Sequence, residues 1–164
     1  MRATVLLGAD TGDAAATFAE ARRMITQLAG EITAGSEVLT SRAWGFASER
    51  MFYNQAIEVE TCLEPEALLD VLQQVERACG RDRDEEAREK ARTGERYASR
   101  RLDADIIFCG AMVIDTPRLK VPHPLVAERG FALRPLAQIV PGLRHPLTGR
   151  TVAGMLEDIE NENE

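Results

Sequence analysis

The sequence predicts an α+β domain with a ferredoxin-like βαββαβ core, in which helices cover one side of an antiparallel sheet. Three observations support this fold class. Two segments show the three-four spacing of amphipathic helices, strand-like segments flank each of them, and the order is strand, helix, strand, strand, helix, strand. We expect the other side of the sheet to stay open for a ligand and a C-terminal extension to follow the core. The fold itself implies no function, because many unrelated activities use it.

The length and composition are those of one globular domain over residues 1–164. Hydrophobic residues make up 45% and charged residues 29%, which excludes a mainly disordered chain. The formal net charge of −7 argues against a general nucleic-acid or membrane-surface binder. The first apolar run is too short for a signal peptide, no run approaches ~18 apolar residues, and the three cysteines form no metal-ligand pattern. We therefore expect a cytoplasmic protein.

The first strand is predicted over 4–7, where apolar residues precede Gly8. Asp13 is placed to cap the helix that follows, because its carboxylate can accept a free backbone N–H of the first turn. The buried face of this helix is predicted to comprise Phe18, Ala21, Ile25 and Leu28. Gly30 is expected to end the helix.

Two strands and a helix follow in the predicted core. The second strand runs from 32 into a loop that reaches 44, and the third is predicted over 52–61. The second helix is predicted to begin near Pro65, since proline and acidic residues favour a first turn, and to end at Gly80. Its apolar stripe consists of Leu68, Val71, Leu72, Val75 and Cys79.

A highly charged segment occupies 81–101, with eight basic and six acidic residues. A loop of this length inside one domain is usually functional or disordered. Two interpretations of 84–95 stay open: a lid that closes over a bound ligand, and a solvated helix held by salt bridges. Arg81 and Arg83 flank a helix end that faces Asp103, which favours a functional role for both.

The last strand of the core is predicted over 100–108 and carries the most informative pair of side chains. Because successive side chains of a strand point to opposite faces, Asp103 and Asp105 share one face, with their α-carbons roughly 6.5–7 Å apart. The opposite, apolar face would then comprise Leu102, Ala104, Ile106 and Phe108. Two carboxylates so placed repel each other unless a proton or a cation lies beside them, and oxygen ligands suit Mg²⁺. The alternative is a solvated Asp-x-Asp pair balanced by neighbouring arginines.

The C-terminal extension is predicted to contain a short strand over 112–114 and a last helix over 132–139. The residues over 157–164 are mostly acidic and lack an apolar face, so we expect this tail to fray. No internal repeat, linker or second domain is evident in the sequence.

Five segments together resemble the hydroxymethyl-dihydropterin pyrophosphokinase family of folate biosynthesis. They are FYNQA at 52–56, ERACGR at 76–81, RYASRRLDADII at 96–107, RLKVPHP at 118–124 and ERGFALRPL at 128–136. The resemblance covers nearly the whole chain, and the Asp-x-Asp with its downstream Pro-His-Pro is specific to that family. It implies transfer of a pyrophosphoryl group from ATP to the hydroxymethyl group of 6-hydroxymethyl-7,8-dihydropterin, with release of AMP.

The same resemblance implies the roles of the charged residues. Asp103 and Asp105 would hold two Mg²⁺ ions that bridge ATP and the acceptor hydroxyl. Arg81, Arg83 and Arg100 would bind phosphates and stabilise charge on the transferring group. Such chemistry depends mostly on positioning and charge neutralisation, which metal ions bridging phosphate oxygens supply.

Binding residues are implied as well. Nucleotide contacts would come from Gln73, Glu76, Tyr97, Ser99, Ile106, Arg118, Lys120, His123 and Arg129. Pterin contacts would come from Ser41, Arg42, Ala43, Trp44, Phe52, Asn54 and Phe131. Phe52 and Phe131 would stack on the flat ring, and Asn54 would hydrogen-bond its amide-like edge.

Three positions depart from the family pattern. Asp10 follows Gly8-Ala9 where an Asn is usual, 41–45 replaces a Thr-Pro-Pro, and Tyr97 stands where a Trp is common. None of them involves the two aspartates.

Other interpretations of these residues stay open. Phe131 on an apolar stretch is more often a core residue, His123 between two prolines could belong to a capped turn, and Asn54 could be a turn amide. For the whole chain, the rivals are a non-catalytic module that binds a small ligand or a protein, and a metal-dependent nuclease. The acidic net charge weighs against the nuclease. No nucleic acid, membrane or obligate protein partner is expected.

Overall fold

A sheet of five antiparallel strands organises the part of the chain that the computed structural model describes, which comprises residues 1–10, 13–42, 51–80 and 102–162. The strands are β1 (Arg2–Ala9), β2 (Gly30–Gly35), β3 (Leu39–Arg42), β4 (Met51–Thr61) and β5 (Asp103–Cys109). Their order is β2-β4-β1-β5, and β3 pairs with the first residues of β4. Helices α1 (Ala14–Leu28) and α2 (Pro65–Ala78) connect β1 to β2 and β4 to β5. This is the predicted ferredoxin-like arrangement.

The C-terminal extension adds a hairpin and two helices. The hairpin consists of β6 (Ile114–Asp115) and β7 (Lys120–Val121). A 3-10 turn (Val126–Glu128) then leads into α3 (Gly130–Ile139) and α4 (Val152–Glu162). None of the described helices is both long and apolar enough to cross a membrane.

Local signals explain the two helices on the first face of the sheet. Asp13 caps α1 by accepting a hydrogen bond from the backbone N–H of Ala16 at 3.2 Å, and α2 begins at Pro65. α1 stops at Leu28 with Ala29 as its C-cap, so Gly30 directly follows the cap, as predicted. Gly30 also begins β2, where a Cβ would lie 2.0 Å from the carbonyl oxygen of Glu60. Most of the predicted apolar positions pack against the sheet, with Phe18, Ala21, Ile25, Leu68, Leu72 and Val75 fully buried. The prediction is wrong for Leu28, the last residue of α1, which is 42% exposed.

A second apolar cluster covers part of the opposite face of the sheet. Leu6 of β1, Ala56 of β4 and Phe108 of β5 point to this side. The C-terminal extension packs onto them through Val126, Ala132, Leu133, Leu136, Val152 and Met155. The extension therefore fills part of the face that the sequence predicts to be open, and the remainder of that face carries the site described below.

The predicted face of Phe108 is wrong because β5 contains a bulge. Val5 of β1 pairs with Ile106, but the preceding Thr4 pairs with Phe108, so Ile107 is an extra residue. Such an insertion reverses the alternation of the side chains that follow it. Ala104 and Ile106 consequently face the helices as predicted, whereas Phe108 belongs to the second cluster.

The C-terminal tail is also more ordered than the sequence predicts. Fraying was expected over 157–164, but α4 continues to Glu162. Its partly buried Leu156 and Ile159 pack against the second cluster, which explains why this acidic segment is helical. Likewise, the single strand predicted from 32 toward 44 consists of two strands, β2 and β3, separated by a bulge.

Candidate active site

Three neighbouring strands bring Asn54, Gly8 and Asp103 to the same level of the sheet. Gly8 of β1 is opposite Asn54 of β4 on one side and opposite Asp103 of β5 on the other. Residues directly opposite each other in antiparallel strands point to the same face. Two residues further along the strands, Leu6 lies between Ala56 and Asp105 in the same way. An amide and two carboxylates thus share the face away from α1 and α2.

Gly8 leaves room for the Asn54 amide beside the first carboxylate. A Cβ at this position would lie 3.1 Å from Oδ1 of Asn54 and 4.0 Å from Cβ of Asp103. The Asn54 side chain is itself buried, with 6% of its surface exposed. Gly8 was not among the predicted site residues, because only the pairing of β1 with both neighbouring strands reveals its position.

Asp103 and Asp105 are partly buried and point away from the helices, as alternation predicts. Burial raises the pKa of Asp105 to about 7, and the charges of Asp103 and Glu76 and a hydrogen bond with Asp103 act in the same direction. The Arg129 guanidinium opposes this shift. The pair therefore concentrates negative charge that a cation would stabilise.

Glu76 lies behind this pair on α2. Its side chain is 2% exposed, and one carboxylate oxygen accepts a hydrogen bond from the backbone N–H of Ala104 at 3.0 Å. The structure thus joins Glu76 to the strand that carries both aspartates. Gln73, one turn earlier, is partly exposed.

His123 and Arg129 approach the carboxylates from the C-terminal extension. The backbone N–H of His123 donates to the carbonyl of Ile107 at 2.9 Å, and its Nδ1 accepts the N–H of Leu125 at 3.2 Å. Burial, followed by the charge of Arg129, lowers the pKa of His123, whereas the Asp103 carboxylate raises it. His123 is thus both a turn residue and a neighbour of the acidic pair.

Two aromatic rings occupy separate elements of this site. Phe131 lies in the first turn of α3, partly exposed, with the Arg129 guanidinium 5.5 Å from its ring centroid, a cation–π contact. Phe52 of β4 is partly exposed and opposite Ser41 of β3, two residues from Asn54 along the same strand face. The described part of the predicted pterin set is thus located on β3, β4 and α3.

Of the residues predicted to contact the nucleotide, two form ion pairs within the protein and one is buried in the core. Arg118 is exposed and pairs with Asp70 of α2, which raises the pKa of Arg118. Lys120 pairs with Asp115 across the β6–β7 hairpin. The side chain of Ile106 is buried in the helix-side core, on the face opposite the aspartates. Both ion pairs are exposed, and nucleotide contacts by Arg118 and Lys120 stay a prediction.

Several predicted residues lie outside the described part of the chain. They are Arg81, Arg83, Tyr97, Ser99, Arg100, Ala43 and Trp44, together with the side chain of Arg42 and the whole 84–95 segment.

The oxygen ligands that this site offers suit a hard cation. Within the described residues, no group of three or more His, Cys, Asp or Glu side chains is arranged to hold a metal ion. Asp103 and Asp105 nevertheless supply two carboxylates, and Mg²⁺ is commonly held by one or two carboxylates together with water and substrate phosphates. The residues present therefore fit a magnesium ion that is shared with a phosphorylated ligand.

Comparison with known families gives one match over most of the chain. The family described as 7,8-dihydro-6-hydroxymethylpterin-pyrophosphokinase (HPPK) matches residues 4–141.

Individual proteins agree with this match. A 2-amino-4-hydroxy-6-hydroxymethyldihydropteridine pyrophosphokinase of Methylorubrum extorquens is 35% identical over 161 residues, covering 97% of this chain and 94% of the relative. Its counterpart in Aquifex aeolicus is 34% identical, covering 86% and 81%. The folic acid synthesis protein fol1 of Pneumocystis carinii is 32% identical, but the chain spans only 20% of its length.

Solved structures share the fold. The Plasmodium falciparum HPPK-DHPS crystallised with pteroate superposes with a TM-score of 0.73 at 13% identity. The match covers 99% of this chain and 44% of that one, so the chain corresponds to less than half of the larger protein.

Proposed function

This chain belongs to the 7,8-dihydro-6-hydroxymethylpterin-pyrophosphokinase family, and on that basis we propose that it transfers a pyrophosphoryl group from ATP to 6-hydroxymethyl-7,8-dihydropterin in folate biosynthesis. In this reaction the acceptor hydroxyl oxygen bonds to the β-phosphorus of ATP. The bond from that phosphorus to the oxygen bridging it to the α-phosphorus breaks. AMP leaves with the bridging oxygen, and the hydroxyl proton is released.

The observation that carries this proposal is the row formed by Asn54, Gly8 and Asp103. Two strand spacings separate Asn54 from Asp103, so their α-carbons lie about 10 Å apart, and Gly8 between them has no side chain. A flat ring lying over Gly8 would have a hydrogen-bonding amide at one edge and the carboxylate pair near the other. This arrangement supports a planar acceptor whose reacting group is directed toward the phosphates.

Asp103 and Asp105 would hold Mg²⁺, with two ions expected when ATP is present. When bound, Mg²⁺ would neutralise phosphate charge and align the phosphate oxygens. The protein's own contribution is to hold the two carboxylates in place through β5 and through the bond from Ala104 to Glu76.

The remaining contacts are divided between the two substrates. Phe52 and Phe131 would enclose the pterin ring, because stacking orients a heteroaromatic ring and excludes water from it. Arg129, His123 and Gln73 would contact the nucleotide. We propose the same for Arg81, Arg83 and Arg100, whose guanidinium groups suit phosphate oxygens.

Product analysis tests this function. With ATP, Mg²⁺ and the reduced hydroxymethyl pterin, we expect AMP and the pterin diphosphate in equal amounts, and no AMP when the pterin is omitted. ADP as the first nucleotide product would contradict the proposal, because it would indicate a simple kinase. The absence of any pterin-dependent turnover would favour a binding module.

We further propose that the protein acts in the cytoplasm and needs neither a membrane nor an obligate protein partner.

A further inference from the structure

The strand β3, which carries Ser41, is held in register by a bulge at Ser36. Gly35 of β2 is opposite Ile57, but Leu39 of β3 is opposite Asn54. Three residues, 36–38, therefore face only two residues of β4, so the edge strand contains one extra residue at this point. A one-residue change of register moves every following side chain to the other face.

The bulge decides which residue of β3 reaches the candidate site. In the observed register Ser41 is opposite Phe52, and both share the face of Asn54. Without the extra residue, Thr40 would be opposite Phe52 and Ser41 would turn toward the helices. The side-chain chemistry next to the proposed pterin ring thus depends on the conformation at 36–38.

Buried hydrogen bonds hold this bulge. The backbone N–H of Ser36 donates to the carbonyl of Ala56 at 2.8 Å, and its hydroxyl accepts the N–H of Ala56 at 2.9 Å. The hydroxyl thereby replaces a ladder carbonyl, which leaves the carbonyl of Ser36 without a strand partner. Nε2 of Gln55 donates to that carbonyl at 2.7 Å, and Ser36 and Gln55 are 6% and 8% exposed. A buried carbonyl of this kind needs a donor, and Gln55 supplies it.

The hydrogen bonds at the bulge are part of a network that reaches a helix on each side of the sheet. On the first face, Arg22 of α1 donates to Oε1 of Gln55. On the second face, the backbone N–H of Glu37 donates to Oε1 of Gln138 at 2.9 Å, and Gln138 lies on α3, which also carries Phe131. The bulge is therefore held from both faces of the sheet, by α1 and by the helix that carries one of the two proposed stacking rings.

We propose that Gln55 is a positioning residue that sets the register of β3, so that Ser41 rather than Thr40 faces the acceptor pocket. Gln55 does not touch the substrate in this arrangement, since its side chain points to the helix side with its neighbour Leu7. The kinetic part of this inference rests on the proposed function, whereas its structural part requires no ligand.

Two near-isosteric variants test the role of the Gln55 donor. Gln55→Glu keeps an oxygen for Arg22 but has no N–H to donate to Ser36, and Gln55→Met keeps the length without either bond. Thr61→Val is the matched control, because Thr61 is also a buried polar residue of β4, 3% exposed, whose hydroxyl donates to the carbonyl of Ala29 at 2.7 Å, far from β3.

The first readout is the KM for each substrate, measured by AMP formation. We expect both Gln55 variants to raise the KM for the pterin at least ~10-fold and to leave the KM for ATP within ~2-fold, because only the pterin side depends on β3. Thr61→Val should lower the Tm without changing either KM. A Gln55 variant that loses stability as Thr61→Val does, with an unchanged pterin KM, would show a purely structural role and overturn the proposal.

The second readout is the strand register itself, from cross-strand NOEs in the ligand-free, isotope-labelled protein. Wild type should show contacts from Ser41 to Phe52 and from Leu39 to Asn54. In the Gln55 variants these should weaken, with new contacts from Thr40 to Phe52. Unchanged NOEs in both variants would refute the register role even if wild type formed no AMP, so failure of the proposed function is recognised separately.

Arg22→Ala is a milder variant that tests the same hydrogen bonds if the Gln55 variants do not fold. Arg22 is only partly buried, so its removal weakens the network from its outer end. We expect a smaller rise in the pterin KM, at least ~3-fold, and partial weakening of the Ser41–Phe52 contact. An unchanged KM and unchanged NOEs in this variant would equally count against the network.

Discussion

At the scale of single residues, the candidate site is defined by charge and by the absence of a side chain. Asp103 and Asp105 are partly buried on one strand face, with Glu76 behind them, and the pKa of Asp105 is raised to about 7 mainly by burial. Such crowding of carboxylates is unfavourable for folding and is typical of sites that bind a cation or catalyse a reaction. Gly8, between Asp103 and Asn54, has no side chain and so leaves room for the Asn54 amide.

Asp103→Asn and Asp105→Asn are each expected to reduce the rate by several orders of magnitude. Either change removes a proposed Mg²⁺ ligand while preserving the shape of the side chain. The metal-free variants should be at least as stable as wild type, because one of several crowded negative charges is gone. Rate assays and thermal unfolding without Mg²⁺ check both statements. If a variant keeps more than roughly a tenth of the activity, the carboxylate lowers the activation free energy by less than ~1.4 kcal/mol. That result would contradict the metal assignment.

Gly8→Ala is expected to weaken pterin binding about tenfold and to leave ATP binding unchanged, because the new Cβ would lie 3.1 Å from Oδ1 of Asn54 and displace the amide. Separate titrations with pterin and with an ATP analogue measure the two affinities. Gly142→Ala is the control, since a Cβ on this glycine between α3 and α4 meets no atom within 4 Å. Equal losses for both ligands would mean that the whole sheet is distorted.

At the scale of elements, packing decides which segments are ordered. The acidic α4 has little intrinsic support in its sequence, but Met155 is 3% exposed among residues of α3 and the sheet. In β5, the extra residue Ile107 turns Phe108 toward the same cluster. Both features stabilise the C-terminal extension on the second face of the sheet.

Met155→Ala is expected to lower the free energy of unfolding by about 2–5 kcal/mol, the range for truncating a buried methionine. Chemical denaturation measures this change. Glu157→Ala, on the exposed side of the same helix, should stay within about 0.5 kcal/mol of wild type. If Met155→Ala behaved like the surface variant, α4 would not contribute to the fold.

At the scale of the whole molecule, the sheet carries an apolar layer on each face, and the described residues cover the second face only in part. The helix-side core includes α1, α2 and the inward residues of the sheet, whereas the second core involves α3, α4 and residues around Leu6. His145 anchors the connection between α3 and α4. Its ring lies edge-on to Phe108 with centroids 6.1 Å apart, and its Nδ1 accepts the N–H of Leu147 at 3.2 Å.

The stability of the molecule should therefore depend on pH through His145. Burial lowers the pKa of His145, so the unfolded chain takes up a proton before the folded protein as the pH falls. The contribution of the neutral ring is complete above the unfolded pKa of about 6.5 and is lost as the pH falls below it.

His145→Asn isolates this effect, because its side-chain oxygen can accept the same backbone N–H and does not titrate. Between about pH 7.5 and about pH 5 we expect wild type to lose stability relative to the variant in chemical denaturation. His123 is present in both proteins and cancels in the comparison. A difference that does not change with pH would show that His145 binds protons equally in the folded and unfolded states.

The features that the sequence determined by itself are those set within a few neighbouring residues. Asp13 caps α1 because a cap involves residues three apart, and Leu68, Leu72 and Val75 are buried because helical periodicity repeats every turn. Asp103 and Asp105 share a face for the same reason, since strand alternation is local. These local rules were sufficient to predict the ferredoxin-like order and the acidic pair.

Only the tertiary structure decided which distant residues meet. Gly8 lies between Asn54 and Asp103 because of two pairings, each with a residue more than 40 positions later in the chain, and no local pattern encodes such a register. The bulges at Ile107 and at Ser36 do not interrupt the apolar pattern of the sequence, yet each reverses the faces of the residues that follow. The helix α4 forms because Met155 and the partly buried Ile159 pack into the second cluster, whose other members come from the sheet and α3, and this stabilisation exists only after these elements have assembled.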